Sequence, residues 1–188
     1  MKWDQIPVLQ TENYQLRGLN IYDAKELFPF MSDLETMKYI TSKPLSSSEE
    51  MNEYVENRIN QFYNEKEIPW VIVKEEAVLG FFRLHKLNFW HRKGEMAAVV
   101  HPDYQQKGVM SEVLSEILPF AFEQLELNRL VGDIFAGNEA SKKLLKKFGF
   151  TEEGRLRQTD FDGKDFHDTV VFSLLSEEYG ALNKRLIK

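Results

Sequence analysis

The sequence predicts an α/β fold: a mixed, twisted sheet with helices on its faces. Three observations carry that expectation. Short β-rich runs such as IPWVIV (Ile68 to Val73) and EMAAVV (Glu95 to Val100) alternate with stretches whose apolar residues recur at helical spacing. Two neighbouring runs, Ile68 to Val73 and Val78 to Leu84 (VLGFFRL), are separated only by the turn-like KEEA, which makes a hairpin. Other runs are separated by a whole helix, the length a crossover needs, so antiparallel and parallel pairs share one sheet.

The elements follow in chain order. YQLRGL (Tyr14 to Leu19) has strand character, and Asp23 opens a short helix to Met31 as its N-cap. TSKPLSSSEE (Thr41 to Glu50) is a loop within a domain, ending where Ser47 or Ser48 caps a helix whose first turn holds Glu49 and Glu50. Met51, Tyr54, Val55, Ile59 and Phe62 then fall on one helical face. After the KEEA hairpin and the turn His91-Arg92-Lys93-Gly94 comes the run Glu95 to Val100. Ser111 to Leu127 carries a broad apolar stripe at helical period, interrupted by Pro119, which is expected to kink it. RLVGDIF (Arg129 to Phe135) is a strand. NEASKKLLKKF (Asn138 to Phe148) is a helix with Asn138 as N-cap and Gly149 closing its end. Two last strands, Phe150 to Arg157 and Thr169 to Leu175, join around the turn Asp162-Gly163. The aromatic group Phe81, Phe82, Phe89 and Trp90 reads as core.

At 188 residues a single domain spanning 1–188 is expected, and a chain of that size buries roughly 70% of its unfolded surface. Hydrophobic residues at 43% supply a core, so disorder is excluded as the main state. A net charge of −6 argues against a nucleic-acid partner held by a global basic field, and mildly favours cationic partners. The absence of cysteine removes disulfides, thiolate metal sites and cysteine nucleophiles together, and suits a reducing cytoplasm. His85, His91, His101 and His167 have no metal-binding spacing, so no metal is expected. No apolar run reaches signal-peptide or membrane-span length, so the expectation is a cytoplasmic protein with no membrane partner.

HPDYQQKGVMSE (His101 to Glu112) joins a hydrophobic strand to an amphipathic helix through a turn with one glycine, Gly108. Such an elbow leaves backbone N–H groups free at the positive end of a helix, where an anion such as pyrophosphate is favoured. It is neither a Walker A loop nor a Rossmann fingerprint, and one glycine before a helix is equally an ordinary connection.

Four separated motifs resolve that ambiguity. EMAAVVHPDYQQKGVMSEVL resembles the strand-loop-helix core of the GCN5-related N-acetyltransferases (GNAT), whose loop follows Q/R-x-x-G-x-G/A; here it reads Gln105, Gln106, Lys107, Gly108, Val109, Met110. NEASKKLLKKFGF resembles the family's asparagine-led helix ending in Gly-Phe. YQLRGLNIYDAKEL is similar to the opening of the RimJ/RimL-like branch of ribosomal-protein N-terminal acetyltransferases, and FGFTEEGRLRQTDFDGKDFHDTVVFSLL resembles that branch's last hairpin. The resemblance spans nearly the whole chain. It implies a single-domain GNAT fold in which a pair of central strands splays apart.

By resemblance, acetyl-CoA is the co-substrate. Its pyrophosphate would sit on the amides of Gln106, Gly108, Val109, Met110 and Ser111, assisted by Gln105 and Lys107. Its pantetheine arm would bond backbone near Val99, Val100 and His101 and contact Asn138. Met110 departs from the family's Gly or Ala. The tyrosine that often protonates the leaving thiolate is replaced by Leu145, and Ser141 matches the serine of the ribosomal-protein branch as the alternative acid. Lys142 or Lys143 could reach the ribose 3′-phosphate from an otherwise solvated helix face. Glu95 stands where the family often carries the carboxylate that deprotonates the amine, and reads equally as a surface glutamate after a Lys-Gly turn. The implied reaction is direct attack of a primary amine on the thioester in a ternary complex. The acceptor implied by the branch is a protein N-terminal α-amine. A polyamine, amino acid or aminoglycoside, or a non-catalytic acyl-CoA-binding role, are the alternatives. Apolar residues on the last hairpin leave a homodimer open.

Overall fold

The turn KEEA reverses the chain between β3 (Ile68–Lys74) and β4 (Ala77–Asn88), and the reversal at Asn88 to Lys93 adds β5 (Lys93–Val100). These three strands are the centre of the sheet in a computed structural model that describes residues 4–186. Toward one edge lie β2 (Gln15–Gly18) and the two-residue β1 (Leu9–Gln10). Toward the other lie β6 (Arg129–Phe135), β8 (Phe166–Leu175) and β7 (Thr151–Phe161), giving the order β1-β2-β3-β4-β5-β6-β8-β7. All neighbours run antiparallel except β5 and β6, which are parallel because a helix connects them.

The parallel pair is short. It joins Lys93 to Arg129, Gly94 to Leu130 and Glu95 to Val131, then stops, although β5 runs on to Val100 and β6 to Phe135. From Met96 onward the edge of β5 that faces β6 has no strand partner. Strand edges normally pair, so a gap in mid-sheet is a place where something else accepts and donates those hydrogen bonds.

Alternation along the strands sends neighbouring side chains to opposite faces, and each face has its own core. On one face Trp70, Ile72, Phe82 and Leu130 pack with Val113, Leu114, Ile117 and Leu118 of α4 (Val109–Pro119) and with Leu145 of α5 (Glu139–Lys147). Trp70 meets Phe120 edge-on at 5.5 Å. On the other face Val71, Phe81 and Val99 pack against Leu27 and Phe30 of α1 (Ala24–Met31) and Met51 and Val55 of α3 (Ser48–Tyr63). Burying each such side chain contributes about 1.5–3 kcal/mol, so α1 and α3 are held mainly by this face. No described residue of β6, β7 or β8 joins that second cluster.

The structure refines several sequence expectations. Ser47, not Ser48, caps α3, its hydroxyl accepting from Glu50 N. Asp23 precedes α1 but makes no side-chain cap; its carboxylate instead receives Arg17 and the amide of Asn20, and Asn20 caps the 3₁₀ turn Ile21–Asp23. The helix expected to kink at Pro119 ends there and continues as a π-helical turn, Phe120–Gln124, with Leu125 N bonded to Phe120 O. Proline lacks an N–H, and the wider turn keeps the buried Phe120 and Ala121 facing the core. Trp90 is 89% exposed at the β4–β5 turn, so it leaves the core that retains Phe81 and Phe82. Three elements were not anticipated: β1, the four-residue α2 (Leu34–Met37) and α6 (Ser176–Leu186).

Candidate active site

The elbow after β5 is built by its own side chains. His101 Nδ1 accepts from Asp103 N at 3.2 Å, closing the 3₁₀ turn Pro102–Tyr104. Gln105 Nε2 donates to Val100 O at 3.1 Å, tying the loop to the strand end. Gln106 and Gly108 both adopt left-handed backbone, with φ of 58° and 84°. Glycine takes that conformation without the side-chain penalty. The first bonds of α4 are Ser111 N and Glu112 N to Gly108 O, at 2.9 and 3.2 Å. The amides of Val109 and Met110 lie ahead of them, at the positive end of the helix. Met110 packs its side chain against the main core, so its bulk is turned inward. Glu112 fixes the helix start from behind, accepting from Thr11 Oγ1 at 2.8 Å and from Asn13 N at 2.9 Å.

Lysines near this loop sort differently from the sequence expectation. Lys142 and Lys146 turn toward Glu152, at 3.8 and 3.3 Å. It is Lys147 that reaches the elbow, with Nζ 3.3 Å from Ser111 Oγ. Lys107 lies over the ring of Tyr104.

The gap between β5 and β6 leads away from the elbow. Val99 and Val100 are buried at its upper end. A Cβ on Gly132 would stand 3.2 Å from Met96 Cε and 3.3 Å from Leu145 Cδ1, so glycine lets β5, β6 and α5 approach closely there. Leu145 is buried at this crossing, and the thiolate acid expected from tyrosine is replaced by an apolar contact. Asn138 Oδ1 accepts from Ser141 N at 3.1 Å, capping α5, and the half-buried Ser141 lies one turn before Leu145. All of Glu95, Val99, Val100, His101, Gln105 to Ser111, Asn138 and Ser141 thus lie on the elbow, the parted strands or the start of α5.

Glu95 occupies the last paired position before the strands part. Its Oε2 is 2.7 Å from Lys86 Nζ, and His85 stands opposite it across β4 and β5. Burial, followed by the charges of Arg83, Lys86 and Arg58, lowers the His85 pKa to about 3, so its imidazole is neutral at physiological pH. Farther under α3, Arg58 Nη1 and Arg83 Nη1 each lie 3.0 Å from Oε2 of Glu67, which is buried.

Asp133 is the residue the sequence reading missed. It sits on β6 two residues beyond Val131, at the mouth of the gap. Asp133 is exposed as a residue, yet desolvation at its carboxyl and then the charge of Glu95 raise its pKa, against Lys86 and Arg129. An acidic residue inside the otherwise apolar run RLVGDIF was the available signal. The walls of this cleft are aromatic: Phe135 lies 6.4 Å from Tyr39 and 5.8 Å from His167, ring to ring. Ser42 Oγ donates to Phe161 O at 2.9 Å, so the loop before α3 touches the tip of the β7–β8 hairpin. Among the described residues no cluster of histidines and carboxylates could hold a metal ion, and no helix is long and apolar enough to cross a membrane.

Comparison with known proteins follows the same outline. The profile of the "Acetyltransferase (GNAT) domain" matches residues 14–151. The "Uncharacterized N-acetyltransferase YoaA" of Bacillus subtilis (strain 168) is 30% identical over 171 residues, covering 90% of this chain and 97% of that protein. Spermidine N-acetyltransferase from Vibrio cholerae, in a structure with CoA and spermine, superposes with a TM-score of 0.81 at 23% identity, over 89% of this chain and 98% of that one. A Salmonella typhimurium acetyltransferase described as modifying the N-terminal serine of a 50S ribosomal subunit protein gives a TM-score of 0.81 at 16% identity, over 90% and 99%.

Proposed function

This chain belongs to the acetyltransferase (GNAT) domain family and is an acetyl-CoA-dependent N-acetyltransferase, and from that premise we propose that its acceptor is a protein N-terminal α-amine, of the ribosomal-protein type. The observation that carries this reading is the carboxyl pair at the parting strands. One member, Glu95, is ion-paired with Lys86, and the other, Asp133, has its pKa raised. A raised carboxyl is a better general base, and an α-ammonium with a pKa near 8 gives up its proton more readily than a lysine near 10.4.

In this reading the elbow amides of Gln106, Gly108, Val109 and Met110 hold the pyrophosphate, with Lys147 as the nearby cation, while the amide of Ser111 is already engaged by Gly108 O. The unpaired edge of β5 from Met96 to Val100 bonds the pantetheine arm, and a backbone amide near Val99 polarises the thioester carbonyl. Asp133 takes the proton of the amine, with Glu95 setting its charge environment. The amine nitrogen then attacks the carbonyl carbon, the C–N bond forms, and the C–S bond breaks. The thiolate leaves toward the start of α5, where the Ser141 hydroxyl relays to it the second proton shed by the nitrogen as the amide forms, and the helix end favours the negative charge. No covalent acyl-enzyme is required, so positioning supplies much of the rate.

A small-amine acceptor is the second reading, supported by the acidic cleft and by the spermine in the Vibrio structure. Thiol release from acetyl-CoA with N-terminal peptides, spermidine and a lysine side-chain mimic separates the two. Turnover with peptides above that with spermidine is expected, and the reverse preference overturns the α-amine assignment.

A further inference from the structure

Lys86 reaches Glu95 only through an irregularity in β4. The β4–β5 register shifts between His85 and Asn88, and Lys86 has a φ of 49°. In a regular strand Lys86 would project to the face opposite His85 and Glu95. The bulge returns it to the cleft face, where Nζ meets Glu95 Oε2 at 2.7 Å. A lysine held in left-handed backbone costs about 1–2 kcal/mol relative to the right-handed form. That conformation is retained at the residue that brings a cation to the cleft.

The result is an asymmetric set of charges. Glu95 has a cation of its own, and its side chain is 26% exposed. Asp133 has no ion-pair partner among the described residues and lies on the far side of Glu95 from β4. One ammonium arriving between the strands therefore finds one uncompensated carboxyl. A second ammonium on the same molecule would approach a site where Lys86 already stands, and like charges repel there, screened because the Lys86 side chain is 66% exposed.

We propose that Lys86 is a specificity-determining residue: its ammonium fills the second cation position of the cleft, so acceptors with one positive charge are favoured over polyamines. This deepens the α-amine reading above and rests on it for the identity of the natural acceptor. The charge selection itself is a separate statement about the cleft.

Three acceptors test it: a tripeptide with neutral side chains, a simple alkyl monoamine, and spermidine. Each is assayed by thiol release with wild type, Lys86→Met and Lys86→Arg. The kcat/KM ratio of spermidine to monoamine is expected to rise about fivefold in Lys86→Met, the size of one screened charge interaction, and to stay unchanged in Lys86→Arg. The rise should shrink as salt is added, which a packing effect would not do. An unchanged ratio in Lys86→Met, or the same shift in Lys86→Arg, overturns the proposal. The peptide arm answers the other question: no peptide turnover by wild type defeats the α-amine reading, while the spermidine-to-monoamine ratio still decides the role of Lys86.

Discussion

The charge of Glu95 acts on Asp133 across the point where β5 and β6 part: with partial burial the larger cause and Glu95 the next, the Asp133 carboxyl titrates above the ordinary aspartate range. Two neighbouring carboxyls whose environments differ divide the work, one ion-paired with Lys86 and one able to exchange a proton. Asp133→Asn is therefore expected to lower kcat/KM about a hundredfold, the scale of a lost general base. Glu95→Gln is expected to act on the pH profile. The base must be ionised, so activity rises with pH through the Asp133 pKa. Removing the neighbouring negative charge lowers that pKa and moves the acid limb to lower pH. A profile unmoved by Glu95→Gln, with full activity in Asp133→Asn, would remove the pair from the chemistry.

Gly108 offers a test of the elbow that separates folding from binding. Its φ of 84° is left-handed, yet a Cβ there would touch nothing within 4 Å. Gly108→Ala should thus cost stability through backbone strain alone, about 1 kcal/mol by urea denaturation, with Gly108→Asn costing less because asparagine tolerates that region. Gly108→Arg adds bulk at the helix start and is expected to weaken coenzyme affinity by at least about tenfold in calorimetry. Unaltered affinity in a folded Gly108→Arg protein would place the pyrophosphate elsewhere.

How far the sequence foretold these features depends on whether the information is local. β6 is bounded as its sequence implies, because turn signals flank a short run rich in β-branched and apolar residues. Asn138 and Ser47 cap as expected, since a cap bonds amides two or three residues away. The family was legible as four motifs in a known order. Asp133 was not, because its importance comes from Glu95, which lies next to it only in the folded sheet. Lys86 escaped for a related reason: period-two alternation assigns it to the wrong face, and only the bulge brings it back. Lys147 was passed over for Lys142 or Lys143 because four lysines on one helix face look alike until Glu152 claims two of them.

Glu67 anchors α3 to the sheet from within. It is 3% exposed, and one of its oxygens receives both Arg58 and Arg83 at 3.0 Å. Burial raises its pKa, while the two guanidinium groups oppose that shift. Glu67→Ala leaves two arginines facing each other under a helix, so a loss of about 3–5 kcal/mol is expected in chemical denaturation. Replacing Arg58 with Met alongside it should recover part of that loss, since one unpaired charge is then gone. A single-variant loss below about 1 kcal/mol would mean that water reaches the cluster.

His85 gives the molecule a built-in acid sensitivity. Burial first, then Arg83, Lys86 and Arg58, depress its pKa to about 3, against about 6.5 in the unfolded chain. Between those values the unfolded state binds the extra proton, so stability falls as pH drops through that window and is unaffected above it. His85→Gln cannot take up that proton in either state. The half-buried ring discounts the ideal linkage value, leaving about 1 kcal/mol as the contribution of His85 to the stability difference between about pH 7 and about pH 5. Urea midpoints of wild type and His85→Gln at the two pH values measure it directly. The variant's smaller pH difference is the expected result. Equal differences in the two proteins would show that the imidazole takes up its proton alike in the folded and unfolded states, and that the cleft beside Glu95 is wetter than the packing of Arg58 of α3 beside Arg83 implies.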